Sequence, residues 1–239
     1  FTNGTKSILI NGLVWMGEEA FMKQQIEEKL ADGFTCIKLK IGAIDFDKEL
    51  QLLRFIREHF TPKQVEIRVD ANGAFDSTLA LDKLIQLSEF KLHSIEQPIQ
   101  KNHTDRMAEL CKTTPFPIAL DEELIGVFTL AEKEQLLEKI KPQYIILKPS
   151  FVGGFRGTQE WISLAEKHKI GWWITSALES NIGLNAIAQW TFLQHNLMPQ
   201  GLGTGALYIN NFDCPLEVSQ GQLWYKKELD WTFDFAFLQ

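Results

Sequence analysis

Apolar residues along this chain fall into short runs, most closed by a polar residue or glycine, and each is followed by a break or a stretch with helical spacing. The runs are Ser7-Ile-Leu-Ile10, Cys36-Ile-Lys-Leu-Lys-Ile41, Val65-Glu-Ile-Arg-Val-Asp70, Ser94-Ile-Glu96, Pro117-Ile-Ala-Leu-Asp121, Tyr144-Ile-Ile-Leu-Lys148, Trp172-Trp-Ile-Thr-Ser176 and Gly201-Leu-Gly-Thr-Gly205. Helical spacing predicts helices over Glu18–Leu30, Asp45–His59, Ser77–Phe90 (with Ser77 as N-cap), Thr104–Cys111, Thr129–Ile140, Thr158–His168 and Asn181–Gln194, with Gly153-Gly154 in a loop before the sixth. Strands that alternate with helices pair in parallel through right-handed crossovers. An open doubly wound sheet and a closed barrel both satisfy that rule. Eight strand candidates without a dinucleotide-binding glycine fingerprint favour an α/β fold of the TIM type, a (β/α)7β barrel.

Within a strand, residues i and i+2 share a side. Lys38 and Lys40 therefore stand together, with Ile37, Leu39 and Ile41 opposite; Glu66, Arg68 and Asp70 likewise face away from Val65, Ile67 and Val69. Alone, a lysine pair reads as a solvated face. The succession changes that reading, because the polar strand-end residues from the second strand to the seventh are Lys40, Asp70, Glu96, Asp121, Lys148 and Ser176. They recur about once per strand–helix unit, and the C-terminal strand ends form the mouth where barrels of this type carry their working residues.

Three carboxylates on neighbouring strands converge, and they cannot all stay ionised at close range without a cation. An all-oxygen set favours a hard ion, Mg²⁺ with Mn²⁺ as a substitute. Such an ion, holding a substrate carboxylate, would stabilise the charge formed when the adjacent carbon loses a proton. The lysines flank this cluster. Lys40 can act as base if Lys38, the ion and partial desolvation lower its pKa; Lys148 faces it as a second acid/base or as a stabilising cation.

Composition narrows the partners. The 239 residues carry 24 Lys and Arg against 31 Asp and Glu, a net charge of −7 that argues against nucleic acid or an anionic membrane surface as partner. No apolar run is long enough to span a bilayer. Cys36, Cys111 and Cys214 are odd in number and widely spaced, which fits a reducing, cytoplasmic compartment better than disulfides or zinc.

Lys38-Leu-Lys40, Arg68-Val-Asp-Ala-Asn72, Ile95-Glu-Gln-Pro98, Ala119-Leu-Asp-Glu122 and Ile146-Leu-Lys-Pro149 together resemble the enolase superfamily, in the branch that includes muconate-lactonising enzymes. The resemblance implies Asp70, Glu96 and Asp121 as Mg²⁺ ligands, Lys40 as the base, Lys148 as the cation opposite it, and a small carboxylate as substrate. It admits both a dehydration and the two-base racemisations and epimerisations of the same branch. Lys38 is the neighbour that tunes Lys40. Arg68 and Asn72 are candidate substrate contacts, as are Ser176, Gly203 and Thr204 beside a glycine-rich loop suited to an anion. Alternation points Glu122 away from the metal ligands.

Family members carry an N-terminal capping domain ahead of the barrel, and this sequence opens at Phe1, close to where the barrel would begin. Residues 1–205 are read as the barrel and 206–239 as a tail packing on it and on the cap. Trp231, Phe233, Phe235 and Phe237 form an aromatic stripe at period two that needs a partner surface. A barrel without its cap could also be an inactive metal-binding scaffold.

Overall fold

A computed structural model describes residues 1–232. Seven parallel strands form one curled sheet in chain order: β2 (Gly12–Val14), β3 (Cys36–Lys40), β4 (Glu66–Asp70), β5 (Ser94–Glu96), β6 (Ile118–Leu120), β7 (Tyr144–Leu147) and β8 (Gly171–Ile174). The ring closes through Gln200 and Gly201. Gln200 bridges Ile10, Gly201 bridges Thr175, and the Gly201 N–H donates to Ile174 O at 2.8 Å. The (β/α)7β barrel expected from the alternation is therefore present.

Its first and last strands are displaced from the expected runs. Ile8–Leu9 (β1) leaves the barrel and pairs antiparallel with β10 (Gln222–Tyr225), which pairs with β9 (Leu216–Ser219) in a small separate sheet. The first barrel strand is Gly12–Val14. Gly12 is there for clearance: a Cβ would sit 3.1 Å from the side chains of both Lys29 and Phe34. The eighth strand shrinks to Gln200–Gly201, where a Cβ on Gly201 would meet Thr175 Oγ1 at 2.0 Å, so the strands approach there only because the side chain is missing. Gly203-Thr-Gly205 lies past that ladder.

Helices α1 (Glu19–Ala31), α2 (Phe46–His59), α3 (Ala80–Ser88), α4 (Thr104–Thr113), α5 (Leu130–Ile140), α6 (Gly154–Lys167) and α7 (Asn181–Leu193) follow the predicted spans. Two starts differ. Ser77 does not cap α3: the turn before it is tied by Asp76 Oδ1, which accepts the Thr78 N–H at 2.7 Å. Helix α6 begins a turn early because Gly153, at φ 97°, supplies a left-handed residue ahead of it. Thr129 and Glu132 close a reciprocal capping box on α5.

The main apolar core lies between the sheet and the helices, with Ile37, Leu39, Ile67, Val69, Leu53 and Ile56 among its fully buried members. A second, smaller cluster of Ala119, Ile146 and Trp173 fills the inside of the barrel, and Tyr144 and Met198 pack against it. This plug is the floor beneath the mouth. The expected stripe of Phe233, Phe235 and Phe237 lies outside the described residues. No helix among the described residues is long and apolar enough to cross a membrane.

Candidate active site

Strand register levels the charged residues. Lys40 pairs with Asp70 and Asp70 with Glu96, while one layer down Lys38 pairs with Arg68 and Arg68 with Ser94. Side chains of one parity enter the barrel, so the lysines and carboxylates meet there, over the apolar plug.

The ammonium of Lys38 donates to Asp70 Oδ2 at 2.9 Å and to Glu96 Oε2 at 2.6 Å. Lys40 donates to the same Asp70 Oδ2 at 2.6 Å and to Asn72 Oδ1 at 2.7 Å. Across the mouth, Lys148 donates to Asp121 Oδ2. The Asp70, Glu96 and Asp121 side chains are almost completely buried.

Burial and neighbours compete at each group. For Lys38, burial favours the neutral amine, but Asp70 and Glu96 outweigh it and hold the pKa above the ordinary lysine value. Lys148 behaves alike: burial lowers its pKa, Asp121 and Glu96 more than restore it, and the net direction is up. Burial would raise Asp70, but Lys38 and Lys40 pull it well below the usual carboxylate range. Glu96 goes the other way, raised by burial and by the charges of Asp70 and Asp121 against the pull of Lys38 and Lys148.

Glu96 Oε1, buried, has no hydrogen-bond partner. A crowded row of carboxylates with an unpaired buried oxygen fits a divalent hard cation, which would relieve both the crowding and the missing partner. Among the described residues, the group of donor atoms already within 4.8 Å of one another is that of Glu134, Glu138 and His168, beside Lys167 on the outer surface. At the mouth each carboxylate accepts from an ammonium.

Other expected contacts sit less simply. Arg68, 1% exposed, is turned to the floor: Nε pairs with Glu66 Oε1 at 2.7 Å, Nη1 donates to Pro199 O at 2.9 Å, and the guanidinium lies 4.2 Å over the Trp173 ring. Its ion pair among the described residues is with Glu66, and these contacts hold the candidate substrate contact Arg68 below the level of the three carboxylates. The β7–β8 register, which pairs Leu147 with Ile174, brings Thr175 rather than Ser176 level with Lys148. Ser176 Oγ donates to Glu179 Oε2 at 2.6 Å and accepts from Thr204 Oγ1 at 2.9 Å. Ser176 and Thr204 thus meet, with Glu179 between Ser176 and Ser150. Gly203 and Thr204 line a groove of about 1040 Å³ that also takes in Asn11 and Trp15 but not Lys38, Lys40 or Lys148.

Sequence reasoning missed Glu122. Asp121, at φ −123° and ψ −76°, breaks the strand and opens the short 3-10 turn Glu122–Leu124. Alternation no longer applies there, and Glu122 Oε1 comes round to accept from Asn72 Nδ2 at 2.9 Å. Burial and the charge of Asp121 raise its pKa. The run of acids after Asp121 was the available signal.

The C-terminal ends of the parallel strands thus bring together a lysine pair, three carboxylates and an opposing lysine. A family model described as enolase C-terminal domain-like matches residues 21–227, and the chain belongs to that family. An o-succinylbenzoate synthase of Desulfotalea psychrophila is 60% identical over 93% of this chain and 60% of its own length. The crystal structure of MenC from the same organism superposes with a TM-score of 0.87 at 58% identity, over 94% of this chain and 62% of that one. An N-succinylamino acid racemase of Thermus thermophilus is 32% identical over 66% of this chain and 40% of its length. The chain thus spans about three fifths of the length of the Desulfotalea psychrophila relative.

Proposed function

We propose that this chain is the barrel part of an o-succinylbenzoate synthase, which removes water from 2-succinyl-6-hydroxy-2,4-cyclohexadiene-1-carboxylate to give aromatic o-succinylbenzoate in menaquinone biosynthesis. One observation carries the reading: Lys40 and Lys148 flank a buried row of three carboxylates, in a chain 60% identical to a protein of that name.

Asp70, Glu96 and Asp121 would hold Mg²⁺, or Mn²⁺ in its place. When bound, the ion supplies positive charge to the substrate carboxylate as the adjacent carbon becomes anionic. Lys40, as the free amine, takes the proton from that carbon. The C–H electron pair forms the ring double bond, the C–O bond breaks, and the hydroxyl leaves as water with the proton Lys40 returns. Lys148 stays protonated against Asp121 and faces the developing negative charge. Lys38, held charged between Asp70 and Glu96, is a fixed cation beside Lys40. Ser176, Thr204 and the backbone at Gly203 would receive the succinyl carboxylate.

In this reading residues 1–205 carry the barrel, with Ile8–Leu9 turned out into the small sheet, and 206–239 pack on it and on a capping domain that excludes water from the mouth. A cytoplasmic setting suits the three free cysteines, two of them buried. The test is an ultraviolet assay of aromatisation with purified protein and Mg²⁺. Turnover that stops on chelation supports the reading. Solvent-deuterium exchange into N-succinylamino acids without aromatisation would reassign the site to a racemase like the Thermus thermophilus relative.

A further inference from the structure

Lys40 is bound to two acceptors, and the second leads to a residue the reaction above does not use. Its ammonium donates to Asp70 Oδ2 at 2.6 Å and to Asn72 Oδ1 at 2.7 Å. The other end of the Asn72 amide donates to Glu122 Oε1 at 2.9 Å. Asn72 itself sits at φ 43°, in the left-handed region, with its N–H on Asp70 Oδ1 at 3.0 Å. Its backbone is therefore fixed beside the base, while its side chain is exposed at the mouth.

An ammonium only donates and a carboxylate only accepts. The amide between them satisfies both in a single orientation, carbonyl toward Lys40 and NH₂ toward Glu122. Turned over, it would set donor against donor and oxygen against carboxylate. We propose that Glu122 is a positioning residue for Lys40, holding the Asn72 amide so that its carbonyl fixes the direction of the Lys40 side chain.

The proposal rests on reading Lys40 as the proton carrier. Asp70 and Asn72 occupy two of the tetrahedral directions around Nζ. The next direction, where the amine carries its lone pair, then points in one place, which is what abstraction from a bound carbon requires. Without Glu122 the exposed amide has Lys40 as its remaining side-chain partner, and the pair can turn together. Small errors in such placement cost rate out of proportion to their size, about 10²-fold for 1 Å. Asp121 cannot take over, because it is engaged by Lys148. The geometry of the break at Asp121 aims Glu122, and not its neighbours, at the end of β4.

Glu122→Ala and Glu122→Gln separate this from a general role in charge or metal binding. Glu122→Ala is expected to lower kcat about 10- to 100-fold, with KM and Mg²⁺ affinity little changed. The Asn72 side-chain amide protons, followed by ¹⁵N NMR, should lose exchange protection. Glu122→Gln keeps an acceptor for Asn72 and should recover most of kcat. A wild-type kcat in Glu122→Ala overturns the proposal. So do equal losses in both variants, or a loss in Glu122→Ala that excess Mg²⁺ repairs, which would make Glu122 a ligand. Should the wild-type protein fail to aromatise the substrate, the functional reading falls and the NMR comparison decides alone: unchanged Asn72 resonances in Glu122→Ala overturn the clamp.

Discussion

At the floor of the barrel, Arg68 finds one carboxylate, one carbonyl and one aromatic face: Glu66, Pro199 O and Trp173. Its charge is matched one to one, and only Nη2 lacks an oxygen partner while the guanidinium lies over the indole. At the mouth, three ammonium groups face Asp70, Glu96, Asp121 and Glu122, and two of the carboxylate oxygens, Glu96 Oε1 and Glu122 Oε2, are buried without partners. Both ends take charge out of water at a cost in stability. The floor closes its balance inside the protein, whereas the mouth carries surplus negative charge that a ligand can complete. The difference separates a packing device from a reactive site within one barrel.

The largest effect should come from the mouth and leave the fold alone. Lys40→Ala is expected to lower kcat by about 10³-fold or more, at the upper end of what a positioned acid/base supplies. Asp70 would keep Lys38 as its partner, so the thermal midpoint should move little. Steady-state kinetics beside a melting curve checks both halves, and a variant that loses activity only in proportion to its folded fraction would erase the contrast.

Mg²⁺ is the next lever. If the mouth is incomplete without a cation, Mg²⁺ at about 100 times its Kd should stabilise the protein by about 2.7 kcal/mol, a rise of roughly 5–10 °C for a chain this size. A chelator should abolish turnover and reverse the rise while circular dichroism still reports the barrel. Glu96→Gln should remove the Mg²⁺-dependent shift without lowering the metal-free midpoint. Its neutral amide still accepts from Lys38 and relieves the crowding between Asp70 and Asp121. A lower metal-free midpoint would mean that Glu96 serves the fold as Arg68 does.

Arg68→Met turns the comparison around. It leaves Pro199 O without its donor and Glu66 without its cation, at a cost of about 2 kcal/mol, below the usual value for a fully buried pair because Glu66 is partly exposed. Urea denaturation should show that loss, with kcat per folded molecule unchanged within about threefold. A selective rise in KM would return Arg68 to the substrate side.

How much of this was legible depends on where strand periodicity applies. Inside strands, parity put Lys38, Lys40, Asp70 and Glu96 on one lining, and the structure brings these side chains together. The alternation of runs and helices was enough for the barrel, although Gly12 and Gly201 shifted its outer strands, because a clearance requirement leaves no hydrophobic signal. Past a strand end the rule lapses. Glu122 follows a break at Asp121, Ser176 sits a residue beyond the level of Lys148, and Asn72 adopts a left-handed conformation. Arg68 shows a further limit: parity put it inside the barrel, but its partners Pro199 and Trp173 are more than a hundred positions away in the chain, and only the fold selects which way so long a side chain turns.

The smallest effect, on pH, tests the floor without touching the mouth. His93 packs on Tyr144 at 4.8 Å between ring centroids and lies 6.1 Å from Trp173, with Nδ1 3.0 Å from Ser94 Oγ. Burial lowers its pKa below the ordinary 6.5; Glu66 opposes the shift and Arg68 adds to it. A histidine with a depressed folded pKa stays neutral in the fold while the unfolded chain takes up a proton. Its contribution is fully present above about pH 6.5 and is lost as pH falls through that value toward the lower folded pKa. Between pH 7.5 and 5.5 the urea midpoint of the wild-type protein should therefore fall more than that of His93→Phe, which keeps an aromatic ring on Tyr144 and cannot titrate. Equal slopes would show that His93 is protonated in the fold with Glu66 as its partner, and the floor would then hold two cations on one carboxylate instead of a closed balance.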